Sequence, residues 1–376
     1  MPYKADHHDW GTFLTRRPIE GDAARVQAAH EGKTILLTGA GGSIGSALAL
    51  KIAATEPRLL ILLEHCEQNL YQIHSELDRF GKVAPHVTVL GDIADSPLLD
   101  EIFAQHHPEI VYHAAAFKHV PLMELNPLAA IRNNTLGTHV LARAAVAHGA
   151  QRLIMISTDK AVDPQSVMGA SKRLAELTLM ALGNDRTRMN SIRLGNVLGS
   201  QGSVGLLFLQ QIARGGPVTV THPEVRRYFL TLDEAVGLIL TGTVLESCGG
   251  IWIPELGSPL KVLDLAEHLI HQAALAPGVD VPVVYTGLRS GDKITEQLVS
   301  SRESREKGSA SELYRISSTP CPLLDLESAI AELTDILARR DVAALLQALR
   351  RSVPEYQPSA SLLELAKNPE IRTHHA

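Results

Sequence analysis

An aspartate and a lysine stand side by side, Asp159-Lys160, just after Ser157-Thr158 at the end of the apolar run RLIMISTD. A carboxyl and an amine within one hydrogen-bond length can serve as acid and base on neighbouring atoms of one substrate. To act as proton donor and proton acceptor respectively, they must carry the reverse of their resting states in water. Burial drives both toward the neutral forms, while their mutual attraction opposes it, so the two titrate as a coupled pair. In isolation such a dipeptide reads as an ordinary solvated strand end. Its neighbours change that: Thr158 adds a hydroxyl, and Lys172 lies four residues after Met168 in a helical stretch, so both side chains share a face that can look back at the strand end.

A second constellation lies upstream, Thr38-Gly39-Ala40-Gly41-Gly42-Ser43-Ile44-Gly45, between an apolar run and an Ala- and Leu-rich segment. Gly39, Gly42 and Gly45 permit a tight turn, close approach of a pyrophosphate to backbone N–H groups, and close helix–strand packing, with Ser43 and Ile44 opening a helix that faces the anion. Glu64 ends the next apolar run about 20 residues later, where an acid would hydrogen-bond the adenosine ribose and repel a 2′-phosphate. NAD is therefore expected in preference to NADP, although His65 softens the repulsion. Asp92 and Ile93, at the end of the third run, either meet the adenine ring or form an ordinary strand-end turn.

These groups need elements that bring strand ends together. From Lys33 onward the chain alternates short apolar runs with longer amphipathic stretches, as parallel strands with crossover helices do. The runs are TILLTGA, LLILLEH, VTVLGDI, EIVYHAAA, RLIMISTD and MNSIRLGNV. The expected fold is α/β: a Rossmann-type doubly wound parallel sheet with a smaller C-terminal substrate-binding lobe, its ligands at the strands' C-terminal edge. Gly and Pro punctuate the chain after Asn196. The expected division is a connector over 1–30, a dinucleotide domain over 31–198 with a return of 229–256 through GIWIPEL, a lobe from 199–228 and 257–330, and C-terminal helices and a tail over 331–376.

Composition narrows the function. The length of 376 residues suggests two domains at roughly 150 residues each. The 45% hydrophobic content can fill a core, and the net charge of −6, with no basic run interleaved with aromatics, makes nucleic acid a poor partner. Cys66, Cys248 and Cys321 form no C-x-x-C, which argues against a disulfide framework or a cysteine zinc site. The first residues lack a signal-peptide core, and LLILL at 59–63 is far short of the roughly 18 to 20 residues that span a bilayer. A cytoplasmic protein without a membrane span is expected, membrane-associated if a longer form exists. Among 17 histidines none has a ligand-like partner set, His7-His8 and His374-His375 fall in tails, and no metal is expected.

Six ordered blocks carry a resemblance: TGAGGSIGSAL, HAAAFKHVPLMELNPLAAIRNNTLGT, STDKAVDPQSVMGASKR, RLGNVLGSQGSV, GGPVTVTHPEVRRYFLTLDEAV and GLRSGDKITEQL. From about Thr12 to Leu298 the chain resembles the extended short-chain dehydrogenase/reductase superfamily and, within it, the UDP-N-acetylglucosamine 4,6-dehydratases of bacterial polysaccharide biosynthesis. FLTRRPIE resembles the connector that follows a membrane-anchoring region in longer members.

The resemblance implies a dehydration with no net oxidation, in which a hydride leaves carbon 4 of the hexose for NAD, water leaves from carbons 5 and 6, and the hydride returns to carbon 6. It implies Asp159 as the acid for the departing hydroxide and Lys160 as the base at carbon 5, kept neutral with help from Lys172 and the nicotinamide. Thr158 matches the hydroxyl residue on the sugar 4-hydroxyl, and Lys172 the lysine of the nicotinamide ribose. Met168 departs from the superfamily Tyr whose phenolate removes the 4-hydroxyl proton. A thioether cannot be that base, which leaves Asp159 or Lys160 acting through Thr158 or a water.

Cofactor contacts are also implied at Ala114 and Ala115. Lys118 and His119 match positions facing the sugar. Asn196, Arg227 and Arg289 match diphosphate contacts, against the alternative that each Arg is merely solvated. Asn133 and Asn134 read as braces of the strand ends. A homo-oligomer is expected. The alternatives are an epimerase or 4-keto reductase on the same fold, or a non-catalytic NAD-sensing protein.

Overall fold

A computed structural model of the chain describes residues 9–79, 84–247, 249–308, 312–317 and 323–367. The six apolar runs form β1 (Thr34–Thr38), β2 (Leu59–Glu64), β3 (His86–Leu90), β4 (Ile110–His113), β5 (Arg152–Thr158) and β6 (Arg188–Leu194). Two-residue strands β7 (Asn196–Val197), β9 (Arg226–Arg227), β10 (Phe229–Leu230) and β12 (Leu260–Lys261) follow, with β8 (Val218–Val220), β11 (Gly249–Pro254), β13 (Val283–Tyr285), β14 (Ser304–Lys307) and β15 (Leu313–Ser317). The main sheet has nine strands in the order β14-β15-β11-β6-β5-β4-β1-β2-β3. From β3 to β11 every pairing is parallel, and at the other edge β15 runs antiparallel to both β11 and β14.

The continuous apolar strands are buried on both faces, as an inner parallel sheet requires. Ile35 and Leu37 of β1 and Leu60 and Leu62 of β2 pack into one layer, while Leu36, Ile61 and Leu63 point into the other. Helices α2 (Ser43–Ala53) and α3 (Glu67–Arg79) follow β1 and β2, α4 (Ser96–His106) follows β3, and the short α5 (Val120–Leu125) and α6 (Pro127–Ala130) lead through a π-helical turn into α7 (Thr138–Ala147). After β5 comes α8 (Val167–Leu182), whose N-cap Ser166 accepts from Gly169 N. The chain leaves β1 toward β2 and β3 on one side and reaches β4 on the other. That reversal opens the crevice where doubly wound sheets hold ligands.

A third apolar cluster lies beyond the sheet's ligand edge. Phe208 and Leu209 of α9 (Val204–Ala213) pack there with Leu265 and Leu269 of α11 (Val262–Gln272) and with Phe229. The last long run divides, because Gly195 separates β6 from β7: a Cβ at Gly195 would lie 2.4 Å from Tyr228 O. β7 pairs with β10 instead of extending the sheet. GIWIPEL does join the sheet, with β11 parallel to β6. The helix α10 (Leu232–Thr241), opened by a capping box of Thr231 and Glu234, links the two.

Two expected details differ. Residues expected as a connector are packed: Phe13 and Leu14 enter the third cluster, Val26 of α1 (Ala23–His30) enters the core under the sheet, and Arg16 forms an ion pair with Glu234. The expected C-terminal helices form as α12 (Leu323–Arg339) and α13 (Val342–Ser352), and a further helix, α14 (Ala360–Lys367), runs into the expected tail. In the last, Leu362 and Leu365 are buried, so its start belongs to the body. The tail beyond Lys367, both terminal histidine pairs, Cys248 and Cys321 lie outside the described residues. Among the described residues no helix is long and apolar enough to cross a membrane.

Candidate active site

The turn after β1 is shaped by contacts that tolerate no side chain. Gly39 has φ +67°, and a Cβ there would lie 2.6 Å from Ala115 N; a Cβ at Gly45 would lie 1.9 Å from Gly39 O. Glycine at 39 and 45 thus lets the turn, the end of β4 and α2 close on one another. Gly42 is different, since its nearest neighbour to an added Cβ is Gly39 O at 3.4 Å. It is the N-cap of α2, and no side chain caps that helix. The free N–H groups at this helix start, with open space at Gly42, fit the pyrophosphate of a dinucleotide. Ser43 Oγ accepts from Gln201 N at 2.8 Å, tying the turn to the loop after β7, and Ile44 packs against the core beneath.

Glu64 is buried at the end of β2. Its Oε2 accepts from Gly41 N at 3.1 Å, and its Oε1 accepts from His65 N at 3.0 Å and Cys66 N at 3.1 Å. It therefore also braces the glycine turn, a role its position in sequence does not reveal. Ala114 N donates to Thr38 O, which keeps Ala114 and Ala115 beside the turn. Asp92 Oδ1 accepts from Ala94 N at 2.9 Å in a strand-end turn, while Ile93 is buried against Gly137. Asn134 accepts from Phe117 N and donates to Phe117 O and Ser171 Oγ, fastening the segment after β4 to α8.

At the end of β5 the chain turns through Asp159–Ala161. Asp159 is wholly buried; its Oδ1 accepts from Thr158 Oγ1 at 2.9 Å and from Lys160 Nζ at 3.0 Å, and its Oδ2 has no hydrogen-bond partner among the described residues. Lys160 Nζ also donates to Asn196 Oδ1 at 3.0 Å. Burial alone would lower the lysine's proton affinity, but Asp159 and Glu296 outweigh it, so its pKa is raised and it rests as an ammonium. The positive group opposing them is Arg227 rather than the expected Lys172. Lys172 is itself buried on α8, and desolvation brings its pKa to about 8 despite Glu176. Met168 is buried one turn before it, within the apolar layer.

The residues matched to the nucleotide sugar divide into two groups. Arg227 is buried under Lys160, with Nη1 donating to Arg226 O and Ile294 O. Arg289 is 59% exposed in its side chain and pairs with Asp292 at 2.9 Å, so it stands at the rim. Lys118 Nζ lies 3.4 Å from Ser200 Oγ, and His119 covers Gly202. Partial burial and the charges of Lys118 and Arg289 hold the His119 pKa below its ordinary value, so these three share one side of the cleft.

Sequence reasoning missed Glu296 and Lys293, although both lie in the quoted block GLRSGDKITEQL. Glu296 is 3.7 Å from Lys160 Nζ, 3.9 Å from Arg227 Nε and 3.6 Å from Lys293 Nζ. The signal was present as an acid four residues after Asp292 in a short segment with three other charges, but nothing local shows that the segment runs beneath β5. The expectation about histidines also needs correction. His74 and Asp78 of α3 and His86 of β3 bring ligand-type atoms within 4.8 Å of one another. His86 begins β3, at the opposite edge of the sheet from Lys160.

Residues 35–318 match the family model described as polysaccharide biosynthesis protein. The chain is 44% identical over 293 residues to the probable polysaccharide biosynthesis protein EpsC of Bacillus subtilis, covering 77% of this chain and 49% of that one. It thus spans about half the length of that curated relative. It is 32% identical over 309 residues to the inverting UDP-N-acetylglucosamine 4,6-dehydratase of Campylobacter jejuni, covering 79% of this chain and 86% of the relative. Among solved structures, the X-ray structure of Pen from Bacillus thuringiensis aligns with a TM-score of 0.69 at 26% identity, covering 77% of this chain and 87% of that one.

Proposed function

Since the chain belongs to the polysaccharide biosynthesis protein family, we propose that it is a nucleotide-sugar 4,6-dehydratase converting UDP-N-acetylglucosamine to a UDP-4-keto-6-deoxy-N-acetylhexosamine. The observation that carries this reading is the Asp159–Lys160 pair, enclosed at the ligand edge with Thr158 on one side and Asn196 on the other. The Campylobacter relative, named as an inverting UDP-N-acetylglucosamine 4,6-dehydratase, supports the dehydration; its inversion differs from a return of the carbon 5 proton by Lys160, which retains that centre. NAD, held at the Gly39–Gly45 turn with Glu64 toward its ribose, would accept a hydride from carbon 4 and return it to carbon 6. The chain's own contribution is the handling of protons.

The hydrogen bond from Thr158 Oγ1 to Asp159 Oδ1 offers the 4-hydroxyl proton a route that bypasses Met168: Thr158 takes it as it gives its own to Asp159. Asp159 then holds the carboxylic acid that the departing carbon 6 hydroxide requires. Lys160 is the base at carbon 5, and the same nitrogen can return the proton once water has left. Arg227 and Arg289 supply guanidinium donors to the diphosphate, one from the floor and one from the rim.

The test is mass spectrometry after incubation with a panel of UDP- and dTDP-sugars. A UDP-N-acetylhexosamine product lighter by one water, with no net change in NADH absorbance, is the expected result. Stoichiometric consumption of NADH would instead identify a reductase.

A further inference from the structure

The proton inventory of the site leaves one group without a use. Glu296 is 2% exposed, its Oε2 has no hydrogen-bond partner among the described residues, and three cations surround it. All three stand 3.6 to 3.9 Å away, beyond direct hydrogen bonding. The backbone fixes the carboxylate's place: Arg226 N donates to Ile294 O at 2.7 Å, and Arg226 pairs with Thr295 as an isolated bridge. Lys293 Nζ donates to Val162 O, fastening the same segment to the turn after Lys160. Burying a carboxylate without direct hydrogen bonds to its cations is costly.

We propose that Glu296 is a positioning residue that acts through Lys160, holding its amine beneath the sugar and taking the proton the amine must release before it can act at carbon 5. The inference rests on the dehydratase reading and deepens it. At rest, Asp159 and Glu296 are carboxylates and Lys160 is an ammonium. The 4-hydroxyl proton passes to Asp159 through Thr158, which leaves Asp159 unable to relieve Lys160 as well. Glu296 is the other carboxylate within reach. Once Asp159 carries the 4-hydroxyl proton, Lys160 loses the carboxylate that most raises its proton affinity, and a proton moving from Lys160 Nζ to Glu296, 3.7 Å away, then gives an amine and a carboxylic acid. The amine removes the carbon 5 proton, Asp159 protonates the departing hydroxide, and Lys160 returns its proton to carbon 5. Glu296 then gives its proton back. One water has been lost, and all three side chains are restored.

The charged and titratable groups facing Lys160 and Glu296 are Asp159 from the β5 end, Arg227 from β9, and Lys293 from the same segment as Glu296. Tyr228 faces Asp159. Glu296→Gln removes the acceptor at nearly constant size. Turnover at neutral pH should fall about 10²-fold or more, in the range of general acid–base effects, with KM changed little. The deficit should shrink as pH rises, because solvent hydroxide then removes the Lys160 proton. Glu296→Asp, which keeps a carboxylate, should restore part of the rate and the wild-type pH profile.

A second readout needs no turnover. Trace acetylation of Lys160 with acetic anhydride across pH, read by mass spectrometry, should begin at lower pH in the Gln variant, since Glu296 raises the lysine's proton affinity in the wild type. Parallel pH–rate profiles, or equal acetylation midpoints in a variant with an unchanged melting temperature, would overturn the proposal. A wild-type protein that eliminates no water from any UDP-sugar would overturn the dehydratase reading instead, while the acetylation comparison still decides whether Glu296 governs Lys160.

Discussion

Asp159 and Lys160 illustrate how a residue's chemistry depends on neighbours that its sequence position does not disclose. The adjacency of the pair at a strand end was readable in the sequence, and its expected roles as acid and base came from the family resemblance. Their resting charges were not readable, because Glu296 and Arg227 approach from more than sixty residues away. Asp159→Asn and Lys160→Ala should each lower turnover by about 10²- to 10⁴-fold while leaving NAD affinity within a few-fold, measured by titration of the intrinsic fluorescence. Indifference of function to both substitutions would favour the non-catalytic sensing alternative. Glu64 was expected from its position to meet a ribose, and its hydrogen bond from Gly41 N arises only because the β1 and β2 ends lie side by side.

At the scale of elements, the strand–turn–helix from β1 through α2 is the part whose sequence and structure agree most closely. Tight turn, helix start and strand end are all local, so glycine spacing reports them directly. Gly45→Ala tests the packing role. Its Cβ would meet Gly39 O at 1.9 Å, so α2 must shift; we expect a loss of roughly 1 to 3 kcal/mol, as for other overpacked sites. Calorimetric melting together with NAD titration should show both stability and affinity reduced, whereas unchanged affinity would mean that the turn does not hold the dinucleotide. The long run MNSIRLGNV read as one strand because its pattern stays apolar, but Gly195 allows Tyr228 to approach and diverts β7 to β10. A hydrophobic run records burial; it does not name the strand across from it.

Across the whole molecule, a buried charge network joins segments far apart in the chain. Arg193 of β6 is wholly buried and pairs with Glu176 of α8 at 2.8 Å and with Glu303 at 2.7 Å, while Arg173 pairs with Glu176 and with Glu355 beyond α13. Desolvation works against ionisation of Glu176, but Arg193 first and then Arg173, with a hydrogen bond from Ser157, bring its pKa to about 2. A carboxylate whose folded pKa is depressed contributes stability that is present above its unfolded pKa and lost as pH falls through the folded value. Glu176 should therefore add an acid-sensitive component between about pH 4.5 and about pH 2. Urea unfolding at several pH values should show stability falling through that window, and Glu176→Gln should flatten the fall while lowering stability at neutral pH.

The sequence by itself determined the alternation of strands and helices, the glycine turn and the placing of Asp159-Lys160 at a strand end, because each depends on spacing within a few residues. It also marked Met168 as a side chain without the means to be a base. The tertiary structure alone decided how distant groups are arranged around Lys160: Glu296 lies 3.7 Å from it and 3.9 Å from the buried Arg227, while Arg289 stays exposed and paired with Asp292. It alone drew Phe13 and Leu14 into the packed body. The reason is physical: hydrophobic periodicity and turn chemistry act along the chain, whereas burial and charge act through space, and a lysine's proton is set by whichever carboxylates the fold brings within 4 Å of it.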